Sequence, residues 1–455
     1  MAAIISVMSG SGTVGRPPAA GLRRLGAGFW RLWAAGVVSN LGDGVSYVAY
    51  PWLAGSLTRD PLPIAGLPVA ARLPWLLVTL PAGVLVDRVD RRRLMVATDT
   101  VRFAVTAAVG LAVVGGAMTL PLLYAAALAL GCGQVLHDNA AQTVLPGLVP
   151  PAGLERANAT MWGAEMVVGA FVGPPLGGAL LAVGLAVPFL VDAGSFGAAA
   201  GLVLLVAGSF RGRPPGAARA PLRREVGDGL RWLWGHRLLR TLGLLAGAIS
   251  LLMSVQYAVF VLYAQEVLRL DARGFGLLST ATAAGAVAGS QLAPALSRRV
   301  GPGPALLLAV AGLAPAYATI GLTSSPELAG AAFVAEGFLI MTWNVLTVSL
   351  RQQLVPGERF GRVNSVYQLL VHGATPFGSL AGGGLVAAVT AAAGREPGLR
   401  APFLLAAAAT AALAAAGMPL LGSRRIEAAR AAAGVWDASR AERAGSRGGG
   451  PTCGS

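Results

Sequence analysis

Apolar residues run along this chain in stretches of about twenty, broken at short intervals by glycine, proline and arginine. Twelve such stretches can be drawn, at approximately 29–56, 65–86, 94–117, 121–145, 157–182, 184–208, 240–265, 274–297, 303–323, 327–350, 363–391 and 400–421. The hydrocarbon core of a bilayer takes roughly 20 apolar residues per helix, so the pattern predicts an all-α membrane protein with twelve transmembrane helices. A polar stretch, "RGRPPGAARAPLRREVGDGLRWLWGHRLLR", separates the sixth from the seventh. Its prolines and glycines break the helix, and "REVGDGLRWLW" suits an amphipathic helix on the inner membrane surface. The expected organisation is an N-tail over 1–27, a six-helix half over 28–208, a linker over 209–239, a second half over 240–421 and a C-tail over 422–455.

Composition agrees. Of 455 residues 55% are hydrophobic and only 12% charged, about half the share of a soluble domain. All 35 basic residues are arginine, and a Walker P-loop needs its lysine, which excludes nucleotide hydrolysis by that route. The net charge of +15 does not point to nucleic acid, because the arginines concentrate in the loops between spans. The tails, the linker and the loops after spans 2, 4, 8 and 10, with Arg31 and Arg240 at the adjoining span ends, hold 28 of them; the alternate loops hold Arg59, Arg269, Arg273, Arg395 and Arg400. Positive charge stays on the cytoplasmic side, so both termini are expected there, in a multi-pass protein of the cell membrane. The N-terminal apolar run is too short for a signal peptide. Cys132 and Cys453 make no disulfide framework.

Two charged or glycine-rich stretches stand out. After span 2 comes "LPAGVLVDRVDRRRLMV", with Gly83, Asp87, Arg88, Arg92 and Arg93. A basic turn, Arg298-Arg299, falls at the equivalent place after span 8, as an old duplication of six spans would leave it. Span 5 contains "GAFVGPPLGG", in which Gly169 and Gly173 make a small-xxx-small face that allows close helix approach, and Pro174 and Pro175 interrupt the hydrogen-bond ladder.

Together these features resemble the major facilitator superfamily. Its loop signature after span 2, Gly-x-x-x-Asp-Arg/Lys-x-Gly-x-Arg/Lys-Arg/Lys, is matched at Gly83, Asp87, Arg88, Arg92 and Arg93, with Asp90 in place of the second Gly. The resemblance implies that Asp87 latches the inner ends of spans 2 and 11 together, its carboxylate facing a helix N-terminus near Gly361-Arg362. A plain positive-inside anchor fits Arg91 to Arg93 as well. The span 5 stretch, with Gly169, Gly173, Pro174, Gly177 and Gly178, is similar to the antiporter motif of the superfamily's drug/proton exporters. The opening "WRLWAAGVVSNLGDGVSYVAY" and "LVDAGSF" are similar to the macrolide and siderophore efflux branch.

Ionisable groups at membrane depth cost several kcal/mol and usually face a cavity. Asp43 lies near the middle of span 1 on a polar face with Asn40, Ser46, Tyr47 and Tyr50. Asp138 and Glu165 sit at similar depth in spans 4 and 5, where they share a proton, bind a cation, or pair with Arg72 or Arg102. Asp192 reads as a structural hydrogen-bonder. In the second half, Asn364, Gln368, His372 and Thr375 form one stripe, and Glu336, Trp343 and Thr347 another. The expected proton-coupling residues are Asp43, Asp138 and Glu165. The expected substrate cavity is lined by Asn40, Tyr47, Glu336, Trp343, Gln368 and His372.

What the resemblance implies is a proton-coupled secondary transporter, working as a monomer, that exports an amphiphilic small molecule by alternating access. An importer or uniporter of the same fold, or a transport-inactive sensor, is the alternative. The three histidines form no HExxH pair, and "AGSFG" at 193–197 lacks the first glycine of a nucleophile elbow. Neither an enzyme, nor a metal site, nor a cofactor is expected.

Overall fold

Polar side chains are buried in this molecule and large apolar ones face outward. Asp99, Arg102, Asp192 and Glu336 are at most 2% exposed, whereas Leu111, Val114, Val183 and Leu322 are 64% exposed or more. Water would not tolerate that inversion; a lipid bilayer requires it, and it also requires every backbone group to bond within its own helix. The computed structural model describes residues 25–78, 82, 85–86, 89–150, 153–208, 210, 222–355, 357–423 and 425–427.

In the first half α1 is Gly26–Leu57, α2 Pro61–Leu77, α3 Arg91–Val114 and α4 Leu120–Leu148. Span 5 has three parts: α5 (Leu154–Glu165), a π-helical stretch (Met166–Val172) and α6 (Gly173–Val183). Span 6 is α7 (Val187–Leu204), and the linker carries α8 (Leu222–Gly235), which packs on α9 and α15. In the second half come α9 (Arg237–Tyr257), α10 (Phe260–Glu266), α11 (Ala272–Val300), α12 (Pro302–Ala311), α13 (Leu313–Leu322), α14 (Pro326–Leu354), α15 (Gly357–Ala393) and α16 (Arg395–Gly417). Starts are set by side-chain caps: Asp60, Asp90, Asp271 and Ser325 each accept a backbone N–H of the first turn.

Nine helices among the described residues are long and apolar enough to cross a membrane. The other three expected spans fall on α1, α2 and α11. Polar residues dilute α1, and α2 runs only to Leu77. Gln291 and several Ser and Thr dilute α11, whose glycines have a packing role: a Cβ on Gly285 would collide with the backbone of α14 at Val334, and one on Gly289 with that at Phe338.

Within the first half α1 packs on α6 and α7, α3 on α4 and α7, and α2 on α4. Within the second, α9 packs on α15 and α16, and α11 on α14. The halves meet along two seams, α6 with α11 and α2 with α15. In span numbers these are 5 with 8 and 2 with 11. Exchanging each span for its counterpart in the other half turns 5 into 11 and 8 into 2, so the first seam reproduces the second, which is the symmetry a duplication leaves.

Candidate functional site

Between the halves lies a cavity of about 620 Å³. Its walls come from α1 (Asp43, Tyr47, Tyr50), α2 (Arg72, Trp75), α3 (Arg102), α4 (Gln134), α7 (Asp192, Phe196), α9 (Tyr257), α11 (Phe275, Ser279) and α15 (His372, Thr375). Apolar rings with a few convergent polar groups are the usual chemistry of a small-molecule site.

The first-half wall is organised by Arg102. Its Nη2 donates to Asp43 Oδ1 at 2.7 Å and to Gln134 Oε1 at 2.5 Å, and its Nη1 lies 3.5 Å from Ser39 Oγ. Nη1 is also 3.6 Å from Asp99 Oδ1, and the guanidinium stacks 3.9 Å over Phe196. Gln134 passes the connection on, its Nε2 donating to Asp138 Oδ1 at 2.8 Å. His137 Nδ1 lies 2.9 Å from Asp99 Oδ1, an ionic contact whose hydrogen bond depends on Nδ1 carrying a proton. Asp43, Gln134, Asp138 and His137 therefore belong to one cluster around a fully buried cation. Of its members Asp43 opens to the cavity, its side chain 35% exposed.

The expected pairing of Asp138 or Glu165 with an arginine takes a different form. Asp138 reaches Arg102 only through Gln134, and Asp43 is the direct partner. Glu165 is exposed at the end of α5, within electrostatic reach of Asp138 and Asp43. Asp192 accepts from Ser46 and, at 3.2 Å, from Ser195. Asp99 is absent from the sequence reading, although its spacing of three from Arg102 inside span 3 was a signal for an ion pair within one helix.

Several residues expected on the cavity lie elsewhere. Tyr47 and His372 line it; Glu336, Trp343, Asn40 and Gln368 do not. Glu336 and Trp343 are buried among the helices of the second half. The Tyr257 hydroxyl donates to Glu336 Oε2 at 3.5 Å, and Oε1 has no hydrogen-bond partner among the described residues. Since Tyr257 itself lines the cavity, Glu336 sits one side chain behind the wall. A polar stripe at helical spacing faces a cavity or a neighbouring helix with equal ease, and α14 turns its stripe to a neighbour.

Span 5 shows what its glycines do. A Cβ on Gly173 would lie 2.5 Å from Gly44 Cα on α1, and one on Gly177 2.6 Å from the Val45 carbonyl. Pro174 and Gly178 face the other way, against Gly276 on α11. The motif thus packs one helix tightly on its own half and on the opposite half together. Pro174 and Pro175 bring no N–H to the ladder, and the preceding turn takes the wider π register from Met166 to Val172. Gly169, by contrast, has its nearest outside atom at 3.6 Å. Gly173→Leu should therefore abolish transport in protein that still reaches the membrane, while Gly169→Ala stays near wild type. Equal activity of both variants in a transport assay normalised to membrane content would remove the packing role.

The loop motif after span 2 is partly visible. Gly83, Asp87 and Arg88 lie outside the described residues, and with them the expected latch. Arg92 donates to the Leu204 carbonyl, and Arg31 to that of Leu205 at 2.5 Å; both arginines meet the carbonyl end of α7, where a helix attracts cations. Asp90, the departure from the signature, has a structural reason. Its Oδ1 caps α3 by accepting from Arg93 N–H at 3.1 Å, and its Oδ2 accepts from Phe210 N–H at 3.3 Å.

Polar contacts join the halves at the end of α1, the end of α10 and the start of α16. Arg395 at the start of α16 holds Glu266 with two bonds, at 2.8 and 2.9 Å, and donates to the Arg59 carbonyl at 2.7 Å. Arg59 in turn donates to Gln265 and lies 3.9 Å from Glu266. Glu266→Gln keeps the shape and loses the charge. It should shift the population toward states open at this end, read as longer and broader distances between spin labels beside Arg59 and Arg395. An unchanged distance distribution would show that the cluster does not hold the halves.

Comparison with known proteins fits this architecture. A family model described as "Transmembrane secretion effector", one of the major facilitator (MFS) families, matches residues 20–442. The chain belongs to this family. The major facilitator families are transporters rather than enzymes, and this chain is a multi-pass member of them. It is 30% identical over 296 residues to a multidrug efflux pump, Tap, of Mycobacterium tuberculosis, covering 62% of this chain and 69% of that one. To the Tap pump of Mycolicibacterium fortuitum it is 28% identical over 383 residues, 81% of this chain and 90% of the other. Among solved structures, a bacterial homologue of the human lysosomal transporter Spinster, crystallised inward-facing and unoccupied, superposes with a TM-score of 0.66 at 18% identity. That match covers 92% of this chain and 96% of the other; at that identity it establishes the major facilitator fold alone.

Proposed function

We propose that the protein is a proton-coupled exporter of amphiphilic small molecules, set in the cell membrane with both termini in the cytoplasm and working as a monomer. The observation that carries this reading is the Asp43–Arg102 pair, a carboxylate open to a cavity that both halves wall, bonded to a buried cation. Efflux is favoured by the relatives named multidrug efflux pumps and by the span 5 packing.

The halves over 28–208 and 240–421 rock about the cavity, with the linker over 209–239 between them. In this cycle the contacts at Arg59, Glu266 and Arg395 belong to the inward-facing state, in which Asp43 is bonded to Arg102. A proton arriving from outside, after the halves rock, neutralises Asp43 and frees Arg102 to turn toward Asp99 and Gln134. That loosens α1 from α3 and changes the face α1 offers to substrate. Asp138, one hydrogen bond beyond Gln134, and Glu165 are the onward positions for the proton.

Uptake into everted membrane vesicles tests the reading. Amphiphilic compounds of both charge signs should include at least one that accumulates against its gradient when the interior is acidic, and a protonophore should abolish the accumulation. Equal uptake with and without the pH gradient would indicate a uniporter, and accumulation only in right-side-out vesicles an importer.

A further inference from the structure

The charged groups of the cavity are not equally open to a ligand. Four ionisable side chains of fixed sign line it: Asp43, Asp192, Arg72 and Arg102. Asp43 and Arg102 neutralise each other at 2.7 Å. Asp192 is 1% exposed, with its oxygens taken by Ser46 and Ser195, so a ligand cannot reach it. Arg72 remains. It is exposed on the cavity side of α2 and makes no hydrogen bond or ion pair among the described residues. Its charge is felt by Tyr47 on α1 and by His372 on α15, which places it where the two halves face each other.

An arginine at membrane depth is costly and is kept where it has a task. Its planar guanidinium offers five donors in a fork that fits a carboxylate or sulfonate. A cationic ligand in the same space would meet Arg72 with no carboxylate left unpaired to offset it, since Asp43 is held by Arg102. The same cavity is lined by aromatic rings, among them Trp75, Tyr47, Tyr257 and Phe275.

We propose that the cavity selects amphiphilic organic anions, with the acid group held by Arg72 and the apolar body packed on the surrounding rings. The inference rests on the export reading for its physiological direction, and on the cavity alone for its binding chemistry. It has an electrical consequence. Exchanging one monoanion outward for one proton inward moves two charges in the direction the membrane potential favours, whereas exchanging a monocation moves none.

The test uses two probes that share a fluorophore and differ in sign, dansylglycine and dansylcadaverine, titrated into the full-length protein in nanodiscs. Dansylglycine should bind about tenfold more tightly or better, a difference on the scale of one charged hydrogen bond. Arg72→Gln should remove that preference by weakening dansylglycine and relieving the repulsion on dansylcadaverine, and Arg72→Lys should keep part of it. In proteoliposomes an inside-negative potential alone should drive dansylglycine outward. Tighter binding of the cation, binding of neither probe, or an Arg72→Gln variant that still prefers the anion overturns the proposal. Cation export driven by a pH gradient would overturn it while leaving the export reading intact, and loss of all uphill transport with the anion preference retained would do the reverse.

Discussion

Asp43→Asn abolishes uphill, gradient-driven accumulation while leaving ligand binding and downhill exchange in place. The amide occupies the carboxylate's space but, being neutral, holds Arg102 no more firmly than the protonated acid does, so it mimics the protonated state. What is lost is the charge that a proton would cancel. A transporter locked in the protonated-like state can still rock with substrate, but no proton movement is linked to the rocking, so the pH gradient does no work. The measurement is accumulation in proteoliposomes at imposed pH gradients, beside counterflow at none. Wild-type uphill transport by Asp43→Asn would move the proton site to Asp138 or Glu165.

Arg102→Leu carries the largest expected cost in stability. It leaves Asp99, fully buried, beside His137 alone, and leaves Asp43 and Gln134 without their donor. Removing one partner of a buried ion pair typically costs about 3–5 kcal/mol, because the remaining charge is uncompensated. The thermal midpoint in detergent should fall sharply, with more aggregate on size exclusion. Arg102→Leu combined with Asp99→Leu should recover much of that loss, since two apolar side chains of suitable volume are tolerated where half a pair is not. A single variant that melts like the wild type would show that Arg102 is not the centre of the cluster.

The helices were legible in advance because lipid leaves a chain few choices. A span must satisfy its own backbone, so length and hydropathy suffice to draw it, and most of the expected spans lie on helices of the fold. The exceptions have local causes. Gln291 and the Ser and Thr of α11 lower its hydropathy, and the double proline of span 5, expected to interrupt the hydrogen-bond ladder, is preceded by a π-helical stretch. Asp90, which looked like a flaw in a loop signature, is a helix cap.

The site was less legible. Asp43 was visible as an acid at mid-membrane, but its partner is Arg102, 59 residues away, and nothing in the spacing selects Arg102 over Arg72. Tyr47 and His372 lie on the cavity as their polar stripes suggest, whereas the stripe of Glu336 and Trp343 turns to a neighbouring helix. Sequence alone was enough for the membrane class, the helical fold and the motifs of the family, since each depends on contacts within one helix or one turn. Which arginine is neutralised and which is left facing the cavity was decided only by tertiary structure. Helical periodicity defines a polar face, but the rotation of each helix, set by packing against several others, decides what that face meets.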